Sequence, residues 1–212
     1  MFSELKTMSM PTLPPGTLPP NYEQVLHWKV TQNIWCVIIL NILALPLGII
    51  IGIFFFIFLF QFGQPPIVKF YDSEQFLIFA LLSTALVLIV HEWVHGIAMQ
   101  AYGARPKYGI IWKGLMLYAS APSYAFGRNK YLVIALAPLV VLSLLACLGI
   151  LLLAGSTIVW MLPVYALTNG GGSIGDLWMS VIVLRYPSHA YVVDERDGMR
   201  VFVPKDNETL AV

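Results

Sequence analysis

Four long apolar runs, at residues 34–60, 76–102, 131–154 and 158–184, alternate with short polar stretches along the chain. A helix needs ~20 apolar residues to cross the hydrocarbon core of a bilayer. Each run supplies that length, so the pattern predicts four membrane-crossing helices. The first is interrupted only by Asn41, Pro46 and small residues. The last contains Asn169-Gly170-Gly171-Gly172-Ser173-Ile174-Gly175-Asp176. Glycine weakens a helix by about 1 kcal/mol relative to alanine. A break at membrane depth is tolerated where the backbone is buried in protein or lines a cavity.

Shorter runs lie between and after the spans. Tyr108–Trp112 and Leu115–Ser120 flank a Lys113-Gly114 turn and predict a β-hairpin at the membrane surface. Ala190–Val193 and Met199–Val203 flank a polar turn at 194–198 and predict a second pair of short strands. The expected fold class is all-α transmembrane: an integral membrane bundle of about four helices, with a small cytoplasmic-face hairpin and a short C-terminal β tail. The expected organisation is a Pro-rich N-terminal cytoplasmic tail (1–33), a membrane-embedded domain (34–184) and a cytoplasmic tail (185–212). Pro11, Pro14, Pro15, Pro19 and Pro20 make residues 1–20 an extended segment.

Composition agrees with this picture. The 212 residues are 58% hydrophobic and 11% charged, with mean hydropathy +0.78. Soluble domains average ~25% charged residues. A formal net charge of +1 gives no reason to expect nucleic acid as a partner. Cys36 and Cys147 fall in apolar runs and imply packing, not a disulfide framework. The first apolar run is too long for a signal peptide, so none is expected. Four spans place both termini and the 103–130 loop on one side. Eleven of the twelve Lys and Arg residues then share that side, and only Lys69 lies opposite. The positive-inside rule makes it the cytoplasmic side.

The second run carries His91-Glu92-Trp93-Val94-His95. Positions i and i+4 share one helix face. Two imidazoles so placed can grip one zinc ion, with the glutamate between them as general base for a metal-bound water. Three such side chains in lipid are costly unless something satisfies them, and a metal would. A catalytic zinc usually takes three protein ligands and a water. Glu92 and Asp176 are the only acidic residues inside the predicted spans. His91 and His95 lie roughly 16 Å and 10 Å from the inner end of the second span, and Asp176 roughly 12 Å from that of the fourth, at 1.5 Å per residue. The third ligand is therefore expected to be Asp176. The glycines before it are expected to let that backbone bend towards the metal. Asn169 and Ser173 are candidates for lining the site.

An H-E-x-x-H on one span and a later aspartate after a conspicuous asparagine resembles the site-2 protease type of intramembrane metalloprotease. More closely, the chain resembles a bacterial family of small membrane zincin peptidases of unassigned function. The features that carry this are His91-Glu92-x-x-His95-Gly96, Ala137-Pro138 in the next span, Asn169, and Ser173-x-Gly175-Asp176-Leu177, within roughly residues 70–200. The resemblance implies zinc bound by His91, His95 and Asp176, with Glu92 catalytic. Site-2 proteases usually carry Asp-Gly at the second motif and a proline before it, where this chain has Asp176-Leu177 and glycines.

The expected function is zinc-dependent hydrolysis of peptide bonds in membrane protein or peptide substrates. The protein is expected to be multi-pass in a bacterial cytoplasmic membrane, with the bilayer itself as a partner. Two other readings use the same residues. One is a catalytically silent relative that binds a membrane partner. The other is a metal or proton transporter, disfavoured because such proteins often show repeated halves and this chain has none. An edge strand of the 108–120 hairpin could hold an unwound substrate by strand addition, or serve only as surface packing.

Overall fold

Asn33 opens the first helix. Its side chain accepts the Trp35 N–H at 2.9 Å, satisfying one of the donors a helix start leaves free. The computed structural model describes residues 14–67, 73–112 and 116–205, without the side chains at 73, 75, 76 and 79. The proline-rich start up to residue 13, Lys69, the Lys113-Gly114 turn and residues 206–212 lie outside the described residues.

In chain order the elements are β1 (Tyr22–Lys29), α1 (Ile34–Phe58), α2 (Ser73–Ala101), β2 (Lys107–Ile111), β3 (Met116–Ser120), β4 (Ala125–Gly127), α3 (Arg128–Leu152), α4 (Met161–Gly172), α5 (Ile174–Val183), β5 (Tyr191–Glu195) and β6 (Gly198–Pro204). A π-helical turn, Leu59–Gly63, prolongs α1, and a 3-10 turn, Thr157–Trp160, precedes α4.

Among the described residues, three helical segments are long and apolar enough to cross a membrane: Ile34–Gly63, Ala80–Ala101 and Arg128–Leu152. Their outward faces carry large apolar side chains, among them Ile42, Ile50, Phe60, Trp93 and Leu144. That is the surface expected of a membrane protein. The fourth predicted span is two helices, neither long enough alone. They meet at Ser173, where φ is −73° and ψ 0°. Helical hydrogen bonds still cross the junction, from Ser173 N–H to the Asn169 carbonyl and from Leu177 N–H to the Ser173 carbonyl, both 3.0 Å.

The all-α expectation is wrong. The described residues form six strands in two antiparallel sheets. One is the expected hairpin, β2 with β3. The other has four strands in the order β1-β6-β5-β4. Its outer strands come from segments that hydropathy gave no reason to pair. β1 lies in the stretch assigned to an N-terminal tail, and β4 is three residues long and runs straight into α3. Only long-range pairing defines them: Tyr22–Lys29 against Gly198–Pro204, and Ala125–Gly127 against Tyr191–Val193.

The sheet sits against the helix ends. Met99 of α2, Tyr131 and Ile134 of α3 and Val183 of α5 form one core with Val192, Met199 and Val201 of the sheet. A second core, around Phe55, Leu59, Ala146 and Ile150, closes the opposite end of the bundle.

Two glycines of the run serve packing, a role beyond the expected bend towards a metal, and the helix break falls just after them, at Ser173. α4 stays helical through Gly172, and Gly170 and Gly171 press on α1. A Cβ at Gly171 would stand 3.2 Å from the Ala44 carbonyl oxygen, and one at Gly48 2.9 Å from that of Leu167. Small residues that let two backbones approach are the usual means of joining helices in a bilayer. Gly172 is different, because its nearest neighbour would be Leu88 at 3.8 Å, an ordinary contact. Gly48→Ala should therefore lower stability by about 1–3 kcal/mol through overpacking, whereas Gly172→Ala should be neutral or stabilising by up to about 1 kcal/mol through helix propensity. Thermal unfolding in detergent compares them, and equal effects would contradict this account of the α1–α4 contact.

Candidate metal centre

One helical turn separates His91 and His95 on α2, and their rings lie 5.0 Å apart at 74°. Asp176 comes from the first turn of α5. Its Oδ2 is 3.1 Å from His91 Nε2 and its Oδ1 is 3.2 Å from His95 Nε2. All three residues are buried, at 5%, 7% and 8% exposure. One ligand atom from each can be chosen so that all lie within 4.8 Å of one another.

The second nitrogen of each ring shows what the first is free to do. His95 Nδ1 lies 2.9 Å from the Ile134 carbonyl oxygen, which can only accept, so Nδ1 carries the proton. His91 Nδ1 lies 3.0 Å from Asn169 Oδ1. That amide is oriented by its other end, since Nδ2 donates to the Pro138 carbonyl at 3.3 Å. His91 therefore also donates from Nδ1. In the neutral imidazoles each Nε2 is then a lone pair, and both face carboxylate oxygens. Acceptors facing acceptors in a buried space require a positive charge between them, either protons or a metal ion.

The donor set and spacing fit zinc. With bonds of ~2.0–2.1 Å, two ligands of a tetrahedral zinc lie ~3.3 Å apart. The two imidazole–carboxylate separations are close to that. Metal-bound histidines commonly hold their other ring N–H on a carbonyl or carboxylate, and both of these do so on an oxygen acceptor.

Glu92 follows His91 on α2 and is partly buried. It lines the same cavity of about 750 Å³ as His91, His95 and Asp176. The Ala119 backbone amide of β3 lies near its carboxylate. Met116, Leu117 and Tyr118 of β3 also line this cavity. Ser173 is buried, and its hydroxyl donates to the Asn169 carbonyl at 2.8 Å.

Asp194 joins this site without any local sequence pattern that points to it. It lies outside the predicted spans, on β5, yet it is buried and lines the cavity. Tyr131 donates its hydroxyl to Asp194 Oδ1 at 3.3 Å, while Oδ2 has no hydrogen-bond partner among the described residues. The folding of the 190–204 hairpin back against the helix ends brings it in, and no local pattern encodes that.

Burial pushes the Asp194 carboxyl up to about 8, against an opposing pull from His95. The unfolded value is ~3.9. A value raised on folding gives a contribution to stability that is present below about pH 4 and lost as pH rises to about 8. Asp194→Asn cannot ionise and should not suffer this loss. In chelator-treated protein the thermal midpoint of the parent should fall relative to that of Asp194→Asn between about pH 5 and about pH 8. Parallel midpoints would contradict the buried acid.

The sequence profile of a family described as "Putative zincin peptidase" matches residues 84–191. The matched segment contains His91, Glu92, His95, Asn169 and Asp176. No curated protein and no solved structure is similar enough to count as a match.

Proposed function

The chain belongs to that zincin peptidase family, and we propose that it is a membrane-embedded zinc metallopeptidase acting on membrane protein or peptide substrates, in the manner of the site-2 proteases. His91, His95 and Asp176 would hold the metal and Glu92 would be the general base. The observation that carries this reading is the convergence of two imidazole lone pairs and a buried carboxylate beside a glutamate that lines the same cavity. The distribution of basic residues favours both termini on the cytoplasmic side, and the resemblance to a bacterial family implies a bacterial cytoplasmic membrane.

Bound zinc supplies Lewis acidity and lowers the pKa of a coordinated water to ~7. The chain's own groups do the rest. His91 and His95 are held at fixed ring angles by Asn169 and Ile134. The Glu92 carboxylate takes a proton from the attacking water and delivers it to the departing amide nitrogen, which leaves as an amine.

The position of β3 supports a mode of substrate binding. Among the described residues β3 pairs only with β2, and Met116–Ala119 line the cavity that holds Glu92. A substrate helix shields its amides by internal hydrogen bonds. Unwound and added to β3 as a strand, it would present one to the site.

Two tests follow. Purified protein should retain about one zinc per chain. Glu92→Gln should keep that zinc and lose cleavage of a membrane substrate, whereas Asp176→Ala should lose the zinc. Elemental analysis together with a cleavage assay decides it, and a Glu92→Gln variant as fast as the parent would defeat the general-base assignment. Leu117→Pro removes one backbone donor from β3 beside the cavity. It should raise KM several-fold with zinc content unchanged, and an unchanged KM would remove strand addition from the account.

A further inference from the structure

α3 carries Pro138 in its interior. A proline inside a helix brings no N–H to the carbonyl four residues earlier, and its ring crowds that carbonyl and tilts it outwards. The residue four positions earlier is Ile134. Its carbonyl oxygen is the one that accepts His95 Nδ1–H at 2.9 Å. Ile134 is 1% exposed, so water is not at hand to replace the lost helical donor, and an unsatisfied buried carbonyl is costly. The proline creates the vacancy and the histidine fills it.

The other side of the same residue bears on the second imidazole. The carbonyl of Pro138 accepts from Asn169 Nδ2 at 3.3 Å, and the Oδ1 of that amide receives His91 Nδ1–H at 3.0 Å. Two carbonyls of α3, one freed by Pro138 and one belonging to it, thus set the tautomer and ring direction of both histidines of α2.

We propose that Pro138 is the positioning residue of this centre: by withholding a helical hydrogen bond from Ile134 it fixes the His95 Nε2 lone pair towards Asp176, while its own carbonyl anchors the Asn169 amide that orients His91. The consequence for metal affinity rests on the zinc reading given above, but the consequence for the imidazoles does not. Pro46 provides the comparison. It also lies inside a helix, α1, but the carbonyl it frees belongs to Ile42, an outward-facing residue 61% exposed.

The test compares Pro138→Ala and Pro46→Ala in the full chain in detergent micelles. Nitrogen-15 and proton resonances of labelled histidine report whether His95 Nδ1–H is hydrogen-bonded and slow to exchange, with zinc chelated and with zinc added. Competition with a chelator reports zinc affinity. In Pro138→Ala the restored N–H competes for the Ile134 carbonyl. The His95 Nδ1–H signal should lose its protection, and zinc affinity should fall roughly 10- to 100-fold, the usual cost of removing an outer partner of a metal ligand. Pro46→Ala should leave both unchanged. A Pro138→Ala variant with the parent's resonance and affinity would overturn the proposal, as would a Pro46→Ala variant that behaved like Pro138→Ala. If the parent binds no zinc, the metal reading fails, and the His95 resonance still decides the role of Pro138.

Discussion

Two imidazole lone pairs and a carboxylate meet where water scarcely reaches, and each group on its own would be expensive to bury. Their approach at 3.1 and 3.2 Å is favourable only if positive charge lies among them. Every other feature around the centre can be understood as holding that arrangement. The Nδ1–H groups are spent on the Ile134 carbonyl and on Asn169, so neither ring can turn its Nε2 away without abandoning a buried hydrogen bond. Asn169 is itself anchored to α3. The centre is therefore built by four helices: α2 gives the imidazoles, α5 the carboxylate, α4 the Asn169 amide, and α3 only backbone carbonyls.

The rest of the fold keeps these helices at the right distance. α4 closes on α1 through glycines, so that the two backbones nearly touch, and α5 continues from α4 after a slight break at Ser173 that leaves Asp176 in a first turn. The four-stranded sheet covers the helix ends nearest the centre and contributes Asp194 to the cavity. β3 lines the same cavity as Glu92 and, among the described residues, pairs on one edge only. A metal site alone is a binding site, but one with a carboxylate and such a strand beside it is suited to a peptide substrate.

Much of this was legible before any coordinates. The H-E-x-x-H spacing places two ligands on one helix face whatever the surroundings, and Asp176 was the other acidic residue within the apolar runs. Those two facts bring the three residues together in the structure. Three of the four spans were likewise written in hydropathy. The larger sheet was not. β1 and β4 are short and unremarkable in sequence, and become strands only because β6 and β5 offer partners far along the chain. The packing role of the glycines was not legible for a related reason. Glycine signals that something comes close, but the sequence does not say whether it is a metal, a ligand or another helix. Pro138 lay in plain view, yet its meaning depends on which carbonyl it frees and which residue of a neighbouring helix stands opposite.

Zinc K-edge X-ray absorption on the purified protein tests the central claim most directly. Two imidazoles and a carboxylate around one ion predict a first shell of nitrogen and oxygen only, at ~2.0–2.1 Å, with outer-shell scattering from two imidazole rings. A preparation that takes up no zinc, or a spectrum with one imidazole or none, would contradict a metal held by His91, His95 and Asp176.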